Sequence, residues 1–391
     1  MKKVLYFFPE NPLEKNAGNK TRVLQLLNYF RKREFEVDFV SIGPWASKWS
    51  EKDVAAFLDS NLVSDVHILT QKPSRKNLLK YLFTYKISQL DYQKKTVWPK
   101  SAVHINSNYH TQRAFEQLLR VKHYDFILVS YVYWYYLISN KALTASSKTI
   151  IDTHDFITAQ LVNTPDGTLG ATFEDEMRRL ALFDEIWAIS IDEEYLFSQF
   201  CSNTVRWVPM MLNAPETRPE DQLSDKTYDL IYVASDNEYN QVSARWFFEE
   251  VYPILPKQLR LCIIGGITQY IGDYENVTKI SFAENLDDYY RHSKIALCPM
   301  FRGTGVKIKV IEALSYGLPV VCTRRGIDGL PNKSNNGCLV SDEAGIFAQN
   351  IISLLENHQL YNEQSKFAKA LFDRHFSLEE CYHILDKAFD L

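Results

Sequence analysis

Pro299-Met-Phe-Arg-Gly-Thr-Gly-Val-Lys-Ile-Lys-Val-Ile-Glu-Ala-Leu-Ser-Tyr-Gly-Leu-Pro-Val-Val321 reads, in one run, as a strand end, a glycine turn, a helix and the next strand. The apolar Ile295-Ala-Leu-Cys298 ahead of it has the character of a buried strand, and Pro299 stops that strand before a helix can begin. Gly303 and Gly305 let backbone come close to a ligand. From there Val306, Val310, Ala313, Leu314 and Gly317 recur at helical spacing, about 100° per residue, while Lys309, Glu312 and Tyr316 fall on another stripe. One stripe is expected to pack and the other to face outward. A glycine turn opening a helix at the carboxyl end of a strand presents N–H groups and the positive end of the helix dipole, which suits a phosphate or diphosphate. Lys307, in the first turn, adds a full charge. On these residues alone, an ordinary strand-to-helix turn with a solvated lysine accounts for the pattern equally well.

Working outward, a chain of 391 residues that is 46% apolar and 24% charged is ample for two domains with their own cores. Its net charge of −4 gives no general attraction for nucleic acid. The start, Met1-Lys-Lys-Val-Leu-Tyr-Phe-Phe-Pro9, reads as a first strand and not a signal peptide, and no apolar run approaches the roughly 18 residues of a membrane span. A cytoplasmic protein is expected. The six cysteines form no Cys-x-x-Cys pair, and Cys262, Cys298 and Cys322 lie in strand-like runs, as reduced core residues do. The histidines are scattered, and no protein-built metal site is expected.

The first half opens as strand (Lys3 to Phe8), polar loop to Gly18, amphipathic helix through Arg22, Leu26, Leu27 and Phe30, and strand (Val37 to Val40). Further strands are expected at Val66 to Leu69, Phe126 to Ser130, Thr149 to Asp152 and Asp184 to Ser190, with helices at Asn106 to Val121 and Ile191 to Phe200. Asn213 to Lys226, rich in Pro, Glu, Asp and Thr without periodicity, reads as a linker. The pattern then restarts at Asp229-Leu-Ile-Tyr-Val-Ala234 and runs through strands Leu261 to Gly265 and Val277 to Phe282 and a helix at Asn285 to His292. Beyond the opening stretch come helices at Glu343 to Glu356, Leu360 to Phe372 and Leu378 to Phe389. Residues 1–209 and 210–376 are the expected domains.

Gly303 to Val321 resembles the donor-site signature of the retaining GT-B glycosyltransferases of the large group-one, family-four-like type. The resemblance implies an α/β architecture of two Rossmann-like doubly wound domains facing each other across a cleft. The second would bind the nucleotide sugar, the first the acceptor, with residues 377–391 packing back onto the first. It places Glu312 on the ribose hydroxyls, and Gly303, Thr304, Gly305, Val306, Lys307 and Lys309 around the diphosphate. Where many relatives carry a second Glu, this chain has Thr304, and a subset with Gly-x-Gly-x-Lys-x-Lys lacks that Glu too. Ser235 and Asn240, in the loop after Ala234, match the Gly-Ser-loop-Asn pattern on the diphosphate side. Ala234 replaces the Gly and the usual loop Arg and Lys are missing, so Lys307 is expected to supply most of the positive charge.

In the first half, Asn16-Ala-Gly-Asn-Lys-Thr-Arg22 resembles the family's amino-terminal glycine loop, with Gly18 and Asn19 toward the donor sugar and Arg22 toward the acceptor. Asp152-Thr-His-Asp155 resembles the motif whose His sits beside the donor sugar, which makes His154 a catalytic candidate alongside Lys307. Asp155 and Ser190 fall on the acceptor side. An isolated histidine in such a turn is more often a structural hydrogen-bonder.

The resemblance implies transfer of a sugar from a nucleotide-diphosphate sugar to a hydroxyl of a glycan or lipid-linked glycan, with retention of configuration and without metal or other cofactor, in bacterial surface polysaccharide synthesis. A nucleotide-sugar epimerase of the same fold and a non-catalytic nucleotide-sugar sensor are the rivals, and turnover separates them. One more segment carries a functional expectation. Between Lys72 and Lys95 stand seven basic residues, Lys72, Arg75, Lys76, Lys80, Lys86, Lys94 and Lys95, against the single acid Asp91, with leucines and aromatics among them. Such a helix suits the headgroup region of an anionic membrane, and equally a core helix with a solvated face.

Overall fold

The computed structural model describes the whole chain except residues 15, 16, 45–47, 74–80, 163, 166, 217–225 and 304. The chain divides into two units, Met1–Val208 and Pro209–Leu391, each built on one sheet. In the first, β1 (Lys3–Phe7), β2 (Glu36–Ile42), β3 (Asp65–Leu69), β4 (Phe126–Ser130), β5 (Lys148–Asp152), β6 (Glu185–Ala188) and β7 (Thr204–Trp207) lie in the order β3-β2-β1-β4-β5-β6-β7. In the second, β8 (Tyr228–Val233), β9 (Leu261–Ile264), β10 (Val277–Ile280), β11 (Ser293–Cys298), β12 (Val320–Cys322) and β13 (Cys338–Val340) lie in the order β10-β9-β8-β11-β12-β13.

Every strand pairing is parallel. The second sheet therefore repeats the order of the first six strands of the first, and both are doubly wound. The order reverses between β1 and β4 and again between β8 and β11, so the loops leaving those strands border the crevice where such sheets bind ligands.

Helices cover both faces, which is why the central strands read as continuous apolar runs. β1 shows the alternation: Tyr6 meets Phe30 and Phe39 edge-on, while Phe7 meets Phe115 and Trp134, its ring 5.0 Å from the indole. Truncating a ring buried this completely costs about 3–5 kcal/mol. All six cysteines are buried and free.

Several elements differ from the sequence expectation for local reasons. The helix expected from Asn106 begins at Tyr109, because Asn108 caps it, accepting from His110 N at 2.9 Å and Thr111 N at 3.1 Å. The aromatic run after β4 is a 3-10 helix, Val132–Ile138. Among the helices that were not anticipated are Leu169–Leu180 and Glu51–Asp59. The latter is fixed by a reciprocal capping box in which Ser50 N donates to Asp53 Oδ2 and Asp53 N to Ser50 Oγ.

Candidate functional site

In the second unit the opening stretch forms the turn and helix expected of it, but the helix begins at Ile308, with Lys307 as its N-cap residue. Gly303 and Gly305 take φ of +97° and +70°, a left-handed backbone that few other residues adopt. The packed stripe holds, since Val310, Ala313 and Leu314 are buried. The other stripe does not simply face outward. Lys309 and Glu312 are half-buried, with Tyr232 of β8 beside the first and Tyr290 of the helix Asp287–Arg291 beside the second.

Lys309 crosses from this helix to the first turn of the helix Glu238–Trp246 that follows β8, where its Nζ donates to Asn240 Oδ1 at 3.1 Å, and it lies 5.5 Å from the ring centre of Tyr232 on β8. Asn240 in turn donates from Nδ2 to Ser235 Oγ and to Ser235 O, both at 3.1 Å. The loops after the two switch-point strands are thus tied by one chain, Lys309 to Asn240 to Ser235. Burial pushes the Lys309 amine below its ordinary value, with Lys307 adding to the effect and Cys298 and Glu312 opposing it. An ammonium held in a poorly solvated place is one that an anionic group stabilises strongly.

Lys307 is buried, and its Nζ is folded back onto the turn, donating to Gly305 O at 2.7 Å and Gly303 O at 3.4 Å. The lysine from which most of the positive charge was expected therefore also braces the turn, and Lys309 stands beside it as a second cation. Thr304 and Asn16 lie outside the described residues. Val306 is half-buried at the end of the turn.

Glu312 accepts a hydrogen bond at Oε2 from Tyr290 Oη at 3.1 Å. Burial raises its carboxyl above the ordinary value, against the pull of Tyr290 and Lys309. Tyr290 stacks on Tyr316, ring centres 5.2 Å apart and 16° from parallel, and Tyr316 donates to Asp287 Oδ1 at 2.9 Å. Tyr290 was missed from the sequence, where it was one of many tyrosines. One close approach explains a further glycine: a Cβ on Gly265, at φ +110°, would stand 2.2 Å from Ala234 O, so the turns after β8 and β9 can pack only with glycine there.

The first unit gathers a second constellation at the carboxyl ends of β1, β4 and β5. Arg22, fully buried, grips Asp152 in a bidentate pair, Nε to Oδ2 and Nη2 to Oδ1 at 2.8 Å each. Burial alone would raise the Asp152 carboxyl, but Arg22 and His154 outweigh it and hold it below its ordinary value. Arg22, expected on the acceptor side, thus grips a carboxylate inside the unit. His154 Nε2 lies 3.2 Å from Asp152 Oδ2. The contact is off a good hydrogen-bond direction, and Nε2 has no other partner among the described residues.

His154 has φ +60°, and Tyr131, at the end of β4, has φ +67°. Two bulky residues in the left-handed region cost about 1–3 kcal/mol each, and such strain persists where the surroundings over-determine it, often at functional sites. Here they are locked together: the Tyr131 and His154 rings stack at 4.3 Å, 18° from parallel, and Tyr131 Oη accepts from Asn19 Nδ2 at 2.9 Å. Burial drops the His154 imidazole to about 4, Asp152 opposing and Arg22 reinforcing, so the ring is neutral at physiological pH. Tyr131 was not singled out from the sequence. Its signal, an aromatic residue at the end of a switch-point strand, was present.

Asn19, Arg22 and His154 are therefore brought together, with Gly18 opening the helix that carries the first two. Asp155 is half-buried and Ser190 buried. Ser190 caps the helix Ile191–Phe200, accepting from Glu193 N at 3.2 Å. Two carboxylates that were not anticipated stand behind Asp155. Glu176 holds the next turn, accepting from Ile157 N at 2.8 Å, Thr158 N at 2.7 Å and Thr158 Oγ1 at 2.6 Å, and burial lifts it to about 7. Glu193 is pushed to about 8, by burial first and then by Asp155, and its Oε2 has no hydrogen-bond partner among the described residues. Among the described residues no group of three metal-ligating side chains occurs.

The geometry defines a doubly wound two-unit protein with an anion-suited turn at the switch point of its second sheet, and comparison with known proteins identifies the class. Residues 227–357 match the family model for Glycosyl transferases group 1. A Klebsiella pneumoniae relative described as an uncharacterized 44.6 kDa protein in the cps region is 22% identical over 267 residues, which is 60% of this chain and 66%, just under two thirds, of that relative. Sucrose-phosphate synthase from Thermosynechococcus elongatus superposes with a TM-score of 0.69 at 14% identity, covering 100% of this chain and 98% of that one. Anabaena HepE in complex with UDP gives 0.69 at 13% identity, covering both chains in full (100% of each). A variant of S. aureus TarM, in complex with fondaparinux, alpha-GlcNAc-glycerol and UDP, gives 0.68 at 12% identity, with 100% of each chain covered. The chain has the GT-B fold, and residues 227–357, within its second unit, match the group 1 glycosyltransferase model.

Proposed function

We propose that this glycosyltransferase moves a sugar from a nucleoside-diphosphate sugar to a hydroxyl of a glycan or lipid-linked glycan, with retention of configuration and without a metal, in bacterial surface polysaccharide synthesis. The observation that carries the donor half is the Lys309–Asn240–Ser235 chain beside the Gly303–Lys307 turn, which sets cations and a helix N-terminus at the switch point of the second sheet. Cleavage of the sugar–phosphate bond builds negative charge on the diphosphate. Fixed dipoles and the two lysines stabilise that charge more in the transition state than in the ground state. Glu312, on the same helix, takes the ribose hydroxyls, and Tyr290 holds it in place. Complexes of HepE and TarM with UDP, and a cps-region relative, support the donor class and the setting.

In the first unit, His154 is kept neutral and oriented, so that it can exchange hydrogen bonds with a sugar hydroxyl without placing a positive charge beside an oxocarbenium-like centre. Asp155 and Ser190 complete the acceptor side, with Arg22 holding Asp152 behind it and Asn19 toward the donor sugar. Membrane contact is supported by the helix after residue 81. Phe83, Ile87 and Leu90 are 57–68% exposed and recur at spacings of four and three residues, beside exposed Lys86, Lys94 and Lys95. An apolar stripe turned to solvent and edged with lysines suits an anionic bilayer at the cytoplasmic face. Arg75, Lys76 and Lys80 of this segment lie outside the described residues. No described helix is long and apolar enough to cross a membrane.

The test is a screen of nucleotides and nucleotide sugars by thermal shift, followed by donor hydrolysis without acceptor. A ligand at about 100 times its dissociation constant adds about 2.7 kcal/mol of stability. The transferase reading expects one nucleotide sugar to be both stabilising and slowly hydrolysed. Tight binding without any turnover, with acceptor extracts included, would replace it with a sensor.

A further inference from the structure

The first unit contains a groove that none of these roles uses. It lies between the helix Ile87–Thr96 and the extended segment that follows, has a volume of about 270 Å³, and is lined by Gln89, Tyr92, Gln93, Trp98, His104 and Ser107 among others. We propose that this groove binds one pyranose ring of a glycan acceptor, with Trp98 as the platform for the ring and the amides and hydroxyls as its hydrogen-bonding rim.

Three observations carry this. The first is the mixture of groups. A pyranose presents an apolar face of C–H bonds and a rim of hydroxyls, and a binding site for it needs one aromatic surface and several convergent polar groups. Gln89, Gln93 and His104 supply side chains that both donate and accept. On the floor, Tyr92 Oη and Ser107 Oγ lie 2.7 Å apart and both residues are buried. One hydroxyl of the pair donates to the other, which leaves the second O–H to be satisfied from the groove.

The second observation is that the aromatic platform is pre-set. The Arg178 guanidinium lies 4.5 Å from the Trp98 ring centre, and Arg178 Nη2 donates at 3.0 Å to Asp175. Asp175 is itself fully buried and gripped by Arg179 through Nε at 3.0 Å and Nη2 at 2.6 Å. A stacked and anchored indole loses little freedom when a ligand arrives, which is what makes a weak stacking contact count. Ser101, also on the groove, donates to the same carboxylate at 2.8 Å, so floor and platform share one support.

The third is position. The groove segment leads through Asn106 N, which donates to Tyr133 O at 3.1 Å, to a Tyr133 ring stacked on Tyr131 at 6.3 Å. Tyr131 is the ring that covers His154. The segment that lines the groove thus leads to the end of the first sheet where the His154 constellation lies, and the groove's volume, just below the roughly 300–1,000 Å³ of small-molecule clefts, suits a single ring and not a chain. The occupant is read as part of the acceptor because this end of the first sheet is the acceptor side, and in that respect the inference rests on the transferase reading.

The experiment uses the full chain and does not require turnover. Saturation-transfer NMR with the methyl pyranosides of glucose, galactose, mannose and N-acetylglucosamine, recorded with UDP in excess, should show transfer to ring C–H protons of at least one of them. Trp98→Leu should weaken that binding by about tenfold. Gln93→Trp, at an exposed position that does not threaten folding, should abolish it by filling the groove, with UDP affinity unchanged in both variants. Absence of transfer to all four pyranosides in folded protein overturns the inference, as does transfer that survives Gln93→Trp. Failure of the transferase reading shows separately, as a lack of donor hydrolysis.

Discussion

Glu312→Gln is the substitution that bears most directly on the donor site. The side chain keeps its size, and Tyr290, which donates to Oε2 at 3.1 Å, can still donate to the amide oxygen, so the fold is expected to hold. What changes is the charge offered to a ribose. Hydrogen bonds to a charged group contribute about 1.5–3 kcal/mol, which at about 1.4 kcal/mol per decade is a loss of roughly 10- to 150-fold in nucleotide affinity. Titration calorimetry with UDP and the other nucleoside diphosphates measures it, and Tyr290→Phe, which loosens the carboxylate without removing it, should fall between wild type and Glu312→Gln. The pH dependence gives a second reading. Burial raises the Glu312 carboxyl, so nucleotide affinity should weaken on acidification at a higher pH than an ordinary glutamate would dictate, and this dependence should vanish in Glu312→Gln. An unchanged dissociation constant in folded Glu312→Gln, for every nucleotide that binds, would refute the assignment.

The other predictions concern charge and placement. Activity should survive a chelator and fall with Lys307→Ala or Lys309→Met; loss of all turnover in chelator, restored by magnesium or manganese, would mean that a metal and not the lysines neutralises the diphosphate. His154→Ala should lower turnover while nucleotide affinity stays near wild type, as kinetics alongside calorimetry will show. Glu193, raised to about 8 from 4.5, contributes stability that is fully present below the lower value and lost as pH rises through the upper one, an upper bound of about 5 kcal/mol. Denaturation at pH 5 and pH 9 should therefore show a smaller difference in Glu193→Gln than in wild type, and an equal difference would remove Glu193 from the account. Binding to anionic vesicles should weaken with salt and with Lys86, Lys94 and Lys95 changed to Glu, and a wild type that fails to co-sediment at low salt has no bilayer contact.

The two parallel sheets were legible because buried strands such as Ile295 to Cys298 and Phe126 to Ser130 are continuous apolar runs, and a Gly-x-Gly at a strand end marks its turn with little ambiguity. Helix edges were less so: Asn108 moved one start by three residues through a cap that periodicity does not register. The donor-side residues were legible as a list but not as an arrangement. That Lys307 folds onto Gly303 and Gly305 while Lys309 crosses to Asn240 depends on where two helix starts meet, and those are some 70 residues apart, 240 against 309. Tyr290, Tyr131, Glu176 and Glu193 escaped for the same reason, since each matters through a partner on another element.

The two units use one topological device for different chemistry. At each switch point, loops leave the carboxyl ends of adjacent parallel strands. In the second unit they lead to Lys307, Lys309 and a helix N-terminus, a place where negative charge is welcome. In the first unit the helix after β1 brings Arg22 to Asp152 at the end of β5, and the bidentate pair cancels the charge of both groups. His154 beside it is held neutral at about 4 by burial, with Arg22 reinforcing, so this end of the first sheet fixes hydrogen-bonding groups without offering a net charge.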